Sequence, residues 1–363
     1  MTPRITSPLP LLATLALCAS GFAQGAVDLR VTAKKGASVW LLQQTTLSQS
    51  IDAQGMMLGC EQSLNRVLQF TVKDVDDKGQ RLVEARIARV YGEFDLPMGM
   101  GAANFDSAAA PVAADDDEGD GGGGMDMSGG MKALLLAGAG KTFTAKVDAR
   151  GQVVELLDDA KALLQSTPTP ALTGRMLGAP TLNEDALKEL VVEAFGERPA
   201  TPIAVGGSWQ RQAPATQAIA PATTRMDLKL AKADAATCEI AITGAIDKVA
   251  AATPAEPVDD GADDDSDPQA AAERNIRETL LMKNGKLTGS CRIARADGFV
   301  AAADATASVD VEMSAGPWGE VSMSLKSTKK LTRTTADAAA PKKAEATKAA
   351  GKPAAPATGG GKK

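Results

Sequence analysis

Along most of the chain apolar and polar residues alternate one for one, and the alternating runs are separated by turn-forming residues. Leu68-Gln69-Phe70-Thr71-Val72-Lys73 alternates cleanly, and after the polar run Asp74 to Gly79 the residues Val83, Ala85, Ile87 and Tyr91 fall on one face. A period of two puts every second side chain on the same side of an extended chain, so these runs predict an antiparallel hairpin. A second hairpin is predicted where Phe143, Ala145 and Val147 alternate with Thr142, Thr144 and Lys146, turn at Asp148-Ala149-Arg150-Gly151 and continue into Val153 and Val154. The C-terminal half repeats the style with Met226, Leu228 and Leu230, then Cys238 to Ile242. Val309, Val311 and Met313 lead through Gly316-Pro317-Trp318-Gly319 into Val321, Met323 and Leu325. Asn284-Gly285 has the residues of a two-residue hairpin turn and predicts one there. Half-polar strands of this kind belong to antiparallel sheets with one wet face.

Two stretches switch to helical spacing. Val153, Leu157, Ala160 and Leu164 recur at that spacing up to about Ser166, where the Thr-Pro-Thr-Pro run at 167–170 blocks continuation. Thr181 and Glu184 stand at capping-box spacing before Leu187, Leu190, Val191 and Ala194, and Gly196 is a helix stop. The narrow apolar stripes and charged opposite faces predict helices that pack on a core. The expected fold class is therefore mainly β (α+β): a curved antiparallel sheet or half-barrel built from two similar halves, about 24–167 and 180–335, with two packing helices between them.

Three segments break the pattern and are expected to stay disordered. They are 108–131, with Asp115, Asp116, Asp117, Glu118 and Asp120 before four glycines; 250–272, with six aspartates from Asp259 to Asp267; and the Lys/Ala/Pro/Gly tail 336–363. Few large apolar residues and dense like charge cannot offset the entropy of ordering. Residues 1–23 carry one cation, Arg4, an apolar run from Leu9 to Leu17 and small residues up to Ala23, the pattern of a signal peptide. That run is too short to span a bilayer, and no later stretch reaches 18 uninterrupted apolar residues. The mature chain is expected to be exported, periplasmic or extracellular, with no transmembrane segment. Its formal charge of −6 resides in the appendages: two polyanionic loops and a polycationic tail flank a nearly neutral body.

Composition narrows the chemistry. With no histidine, Ser-His-Asp and Cys-His catalysis, His-ligated zinc and imidazole switching are excluded. Aromatic residues make up 3% of the chain, too few for base-stacking platforms, so no nucleic-acid partner is expected. Cys238 shares a strand face with Ile240 and Ile242, and Cys291 with Leu287 and Ile293. In an oxidising compartment a Cys238–Cys291 disulfide is expected, with two buried thiols as the alternative. Asp263, Asp265 and Asp267 match the first positions of a calcium loop, but Pro268 and Arg274 occupy the places of its glycine and closing glutamate. Met125-Asp126-Met127 has ligands suited to Cu(I) but a Gly-rich setting without a rigid cage. These three are the candidate metal residues, and no metal or cofactor is assigned. Ser327-Thr328-Lys329-Lys330 has the S-x-x-K spacing, yet on a strand residues three apart face opposite ways. The tail, with Lys342, Lys343, Lys348, Lys352, Lys362 and Lys363, suits weak, salt-dependent binding of anionic envelope polymers or lipid head groups.

The run Leu29 to Gly36 entering a strand, Phe105-Asp106-Ser107 before a variable insertion, Phe143 to Val153 with its turn, and Pro202 to Trp209 ending in Gly-Gly-Ser-Trp resemble an uncharacterised family of exported bacterial domains of unknown function. That resemblance covers about residues 27–333 and implies a signal peptide followed by a curved antiparallel sheet, with no catalytic residues to carry over. The strand-turn-strand segments also resemble the half-barrels of periplasmic lipid and lipoprotein carriers. The expectation is an exported, non-enzymatic, envelope-associated binding or structural module. The alternatives are a periplasmic carrier of a lipid or other apolar ligand, and a carboxylate-dependent hydrolase. A ligand is expected on the concave apolar face of the sheet, walled by the helices.

Overall fold

The alternating runs assemble into one twelve-stranded antiparallel sheet, seen in a computed structural model that describes residues 25–96, 102–109, 127–168, 182–215, 222–248, 279–314 and 319–341. The expected signal peptide, the acidic runs, Gly316-Pro317-Trp318 and the lysines of the tail lie outside the described residues. The N-terminal half holds β1 (Ser38–Ala53), β2 (Met56–Val75), β3 (Arg81–Asp95), β4 (Ala102–Asp106), β5 (Thr142–Val147) and β6 (Val153–Leu156). The C-terminal half holds β7 (Ser208–Pro214), β8 (Ala222–Ala233), β9 (Thr237–Lys248), β10 (Leu281–Ala294), β11 (Val300–Ser314) and β12 (Glu320–Arg333).

The two halves fan outward from a central seam. The order is β6-β5-β3-β2-β1-β12-β11-β10-β9-β8-β7, with β4 added on β3. β1 and β12 form the seam, in register from Leu41 against Arg333 to Ala53 against Val321. The sheet is open and curved, as the alternation predicts. Its strands are long: the 20 residues of β2 span roughly 65 Å at the ordinary rise of an extended chain. β1 and β2 are joined by Gln54-Gly55, both at positive φ, the geometry of a two-residue hairpin.

The concave face is filled mainly in the N-terminal half. There Phe70, Val83, Ile87 and Phe143 are buried beneath three helices: α1 (Met127–Leu135), α2 (Asp158–Gln165) and α3 (Glu184–Phe195). None is long and apolar enough to cross a membrane. α3 lies across the end of the concavity, where Phe195 packs on Phe299 at 4.9 Å between ring centroids. The left-handed φ of Gly196 ends the helix and brings its terminus down onto Ile293 and Val300. Two buried arginines fasten the extended segment before β1. Arg81 donates to the carbonyls of Val31, Ala33 and Gly79. Arg198 donates to Leu29, Phe195 and Gly298, and its burial pulls the guanidinium down to about 10.

The convex face is polar. Thr46, Thr328, Thr306, Thr288 and Thr243 stand directly opposite one another on five successive strands, a row of favourable cross-strand contacts. Farther along, Arg89 pairs with Asp106 and donates to the carbonyls of Ala338 and Ala340, holding the 3-10 turn Ala336–Ala339 against β3. That turn lies in a segment assigned to the tail on composition.

Several local expectations differ from the structure. Asn284-Gly285 forms no hairpin but a register shift inside β10, with Asn284 at φ 53. Positive φ suits a bulge as well as a turn, and the pairing of β10 with β9 and β11 decides between them. The first helix begins after Leu157, because Val153–Leu156 pairs with β5. The cap of α3 is Asn183, whose side chain accepts from the Ala186 N–H, two residues later than the Thr181 expected from spacing. Helix α1 was not expected; its Met131 and Leu135 enter the core.

The Cys238–Cys291 disulfide is not formed: Cys60, Cys238 and Cys291 are buried thiols. Cys238 lies opposite Ile293 and Cys291 opposite Ile240. The two cysteines therefore share a face only as diagonal neighbours, about 7–8 Å apart, beyond the usual Cα span of a disulfide.

Candidate functional site

The concave face of the C-terminal half holds an apolar trough of about 270 Å³, floored by β8 to β12 and walled at one end by α3. Its depth follows from side-chain size along successive cross-strand rows. Beside α3 the floor is Leu331, Ala303, Cys291 and Ile240. The next row runs Lys329, Ala305, Gly289, Ile242 and Leu228, and the one after it Ser327, Ala307, Leu287, Gly244 and Met226. Each row carries an alanine from β11, and the second and third rows a glycine as well, where the N-terminal half has Phe70 and Phe143. A Cβ on Gly289 or Gly244 would also strike the neighbouring strand, at Asp304 or Arg225, so these glycines permit the close strand approach of a bent sheet. Farther out, Leu47, Val309, Val311 and Leu325 continue the apolar floor into a second buried cluster with Met313 and Met323.

The end wall carries charge. Glu189 and Glu193 are four residues apart on one face of α3, and Glu197 continues the line past the helix end. Arg211 of β7 pairs with Glu189 and with Glu197, the latter at 2.5 Å in a contact too far off-line to be a hydrogen bond. Lys329 of β12 pairs with Glu193, which also accepts from the Gln43 side chain, and Gln43 in turn accepts from Arg66 at 3.1 Å. Burial raises Glu197 above the usual carboxylate range against the pull of Arg211. Burial also draws Lys329 downward, but Glu193 and Glu189 outweigh it and hold the ammonium above its ordinary value. Burial pushes the Cys291 thiol up to about 12, which leaves the trough floor without a thiolate nucleophile at neutral pH.

The three glutamates share one wall, and each is tied to a cation. Ser327 lines the trough, whereas Lys330 stands on the opposite face of β12, so the S-x-x-K spacing brings no serine and lysine together. Met125 and Asp126 lie outside the described residues. Met127 is the first residue of α1, and the described residues hold no group of three or more His, Cys, Asp or Glu side chains that could bind a metal. Arg211, Glu189, Glu193 and Glu197 were not foreseen as a site. The i, i+4 spacing of the glutamates was a readable signal, but their partners come from other elements: Arg211 of β7 and, 136 residues from Glu193, Lys329 of β12.

No protein-family model matches the chain, and no curated protein matches it in sequence. Among solved structures it is similar to lipovitellin, in a structure titled for its lipid–protein interactions, at 9% identity and a TM-score of 0.36 over 86% of this chain and 26% of that one. This chain thus spans about a quarter of the length of that protein. It is also similar to an outer membrane channel from Pseudomonas putida F1, at 8% identity and a TM-score of 0.21 over 85% of this chain and 98% of that one. At these scores neither likeness bears on the fold or the function of this chain.

Proposed function

We propose that the protein is a non-catalytic binding module of an exported compartment that carries a lipid or other apolar molecule in the trough of its C-terminal half. The observation that carries this reading is an aliphatic concavity left open on the inner face of a sheet whose other half is filled. Apolar surface open to water is costly to maintain, and a concave apolar site with a few convergent polar groups is the usual form of a small-molecule pocket. The signal-peptide pattern and the basic tail support an envelope setting.

The test is titration of purified protein with the uncharged, environment-sensitive fluorophore N-phenyl-1-naphthylamine, alongside mass spectrometry of co-purifying lipids. Saturable binding is expected. Ala305→Leu, which places a larger side chain in the middle of the floor, should weaken it by about tenfold or more. Equal binding by the variant, or none by the unaltered protein, would remove the carrier reading.

A further inference from the structure

The charged wall of the trough discriminates among amphiphiles, and this inference rests on the carrier reading. Among the described residues lining the trough the cations are Arg211 and Lys329, and both are already committed to carboxylates. Arg211 is shared by Glu189 and Glu197. Lys329 is held by Glu193, whose second oxygen takes the Gln43 amide, and Arg66 stands behind that amide. The three carboxylates of the wall and the three cations therefore balance, and Asp304, the other acidic residue on the lining, turns its carboxylate to the convex face, where it accepts from the Ser290 hydroxyl. An anionic head group entering here would find no free donor cation and would meet a carboxylate face; a cationic one would have to displace Lys329 or Arg211. Either exchange exposes a charge that burial has stripped of water, which costs far more than the new contact returns. A hydroxyl, ester or amide head breaks no pair and can hydrogen-bond with the Ser327 hydroxyl, two residues from Lys329 on the same face of β12.

We infer that the ligand is an amphiphile with an uncharged polar head, a monoacylglycerol or fatty alcohol type of molecule, and that the Glu193–Lys329 pair rejects free fatty acids and other ionised lipids. Competition against bound N-phenyl-1-naphthylamine at pH 8 tests it. The competitors are a monoacylglycerol, a fatty acid and an alkyltrimethylammonium of equal chain length, each below its aggregation threshold. The monoacylglycerol should displace the probe at a concentration about tenfold lower than either charged competitor. Glu193→Gln frees Lys329 and should improve fatty-acid competition about tenfold, leaving the monoacylglycerol little changed. Lys329→Gln should instead improve the alkyltrimethylammonium, and it serves where the first variant does not fold. A fatty acid that competes as well as the monoacylglycerol on the unaltered protein overturns the inference, as does either variant that folds, binds the probe and keeps the original order. Failure of the probe itself to bind is a different result, and it removes the trough reading along with this one.

Discussion

The two halves of the sheet use the same strand pattern to opposite ends. On the N-terminal half the inward positions include Phe70, Phe94 and Phe143, with Phe105 and the helices α1 and α2 laid over them. On the C-terminal half the corresponding rows carry Ala303, Ala305, Ala307, Gly244 and Gly289, and α3 covers only one end. One half is a filled core and the other an open trough. Binary patterning sets the strands in both, and side-chain volume decides whether the concavity closes.

Large-to-small and small-to-large substitutions should separate the halves. Phe143→Ala in the filled half should cost about 3–5 kcal/mol, read as a shift in the urea midpoint, because the helices above cannot collapse into the void. A loss below about 1 kcal/mol would mean that this half is loosely packed as well. Ala305→Leu on the open side should change stability by less than about 1 kcal/mol, whereas overfilling a close-packed core typically costs about 1–3 kcal/mol. A penalty in that upper range would show the trough to be closed in solution and would erase the contrast.

The smallest effect is in pH dependence, and its sign differs between the halves. The Arg89 guanidinium hydrogen-bonded to Asp106 holds this carboxyl below its usual range. Its stabilisation is present above the ordinary carboxylate pKa and is lost as pH falls through the lowered folded value, so Asp106→Asn should flatten the acid limb of the stability curve. Glu197 is raised by burial from 4.5, so the folded state holds its proton more tightly than the unfolded state does. Its contribution runs the other way: stability increases as pH falls from the raised folded value towards 4.5, and Glu197→Gln should remove that increase. Urea midpoints at half-unit steps between about pH 3 and pH 7 check both. The same slope from both variants would contradict the assignment.

The strands were legible because their alternation is a local property. Leu68 to Val72, Phe143 to Val147, Met226 to Leu230 and Val321 to Leu325 all lie in strands with the inward residues that their period implies. Helix α3 was legible for the same reason, down to its stop at Gly196. Asn284-Gly285 was misread because positive φ is shared by turns and bulges, and strand pairing alone tells them apart. The concave face was expected as the place for a ligand, but not which half would stay open. That depends on alanines and glycines lining up across β9, β10 and β11 in a register no single segment encodes. The Arg211 and Lys329 pairings were hidden for the same reason: each joins α3 to a strand on the other side of the concavity.

The seam between β1 and β12 bears on how the chain acquires its structure. Each half is a run of neighbours in sequence that can pair as they are made, whereas Leu41 meets Arg333 from opposite ends of the chain. Loop closure grows only slowly in cost with length, about 0.6 kcal/mol for each doubling, so the seam is slow to form rather than forbidden. Until β12 arrives, the edge of β1 presents Leu41, Leu47 and Ile51 beside unpaired backbone groups, a template for pairing with another copy. The interval between synthesis of the first half and closure of the seam is thus when the molecule is most open to aggregation, and when a holding chaperone would matter most to it.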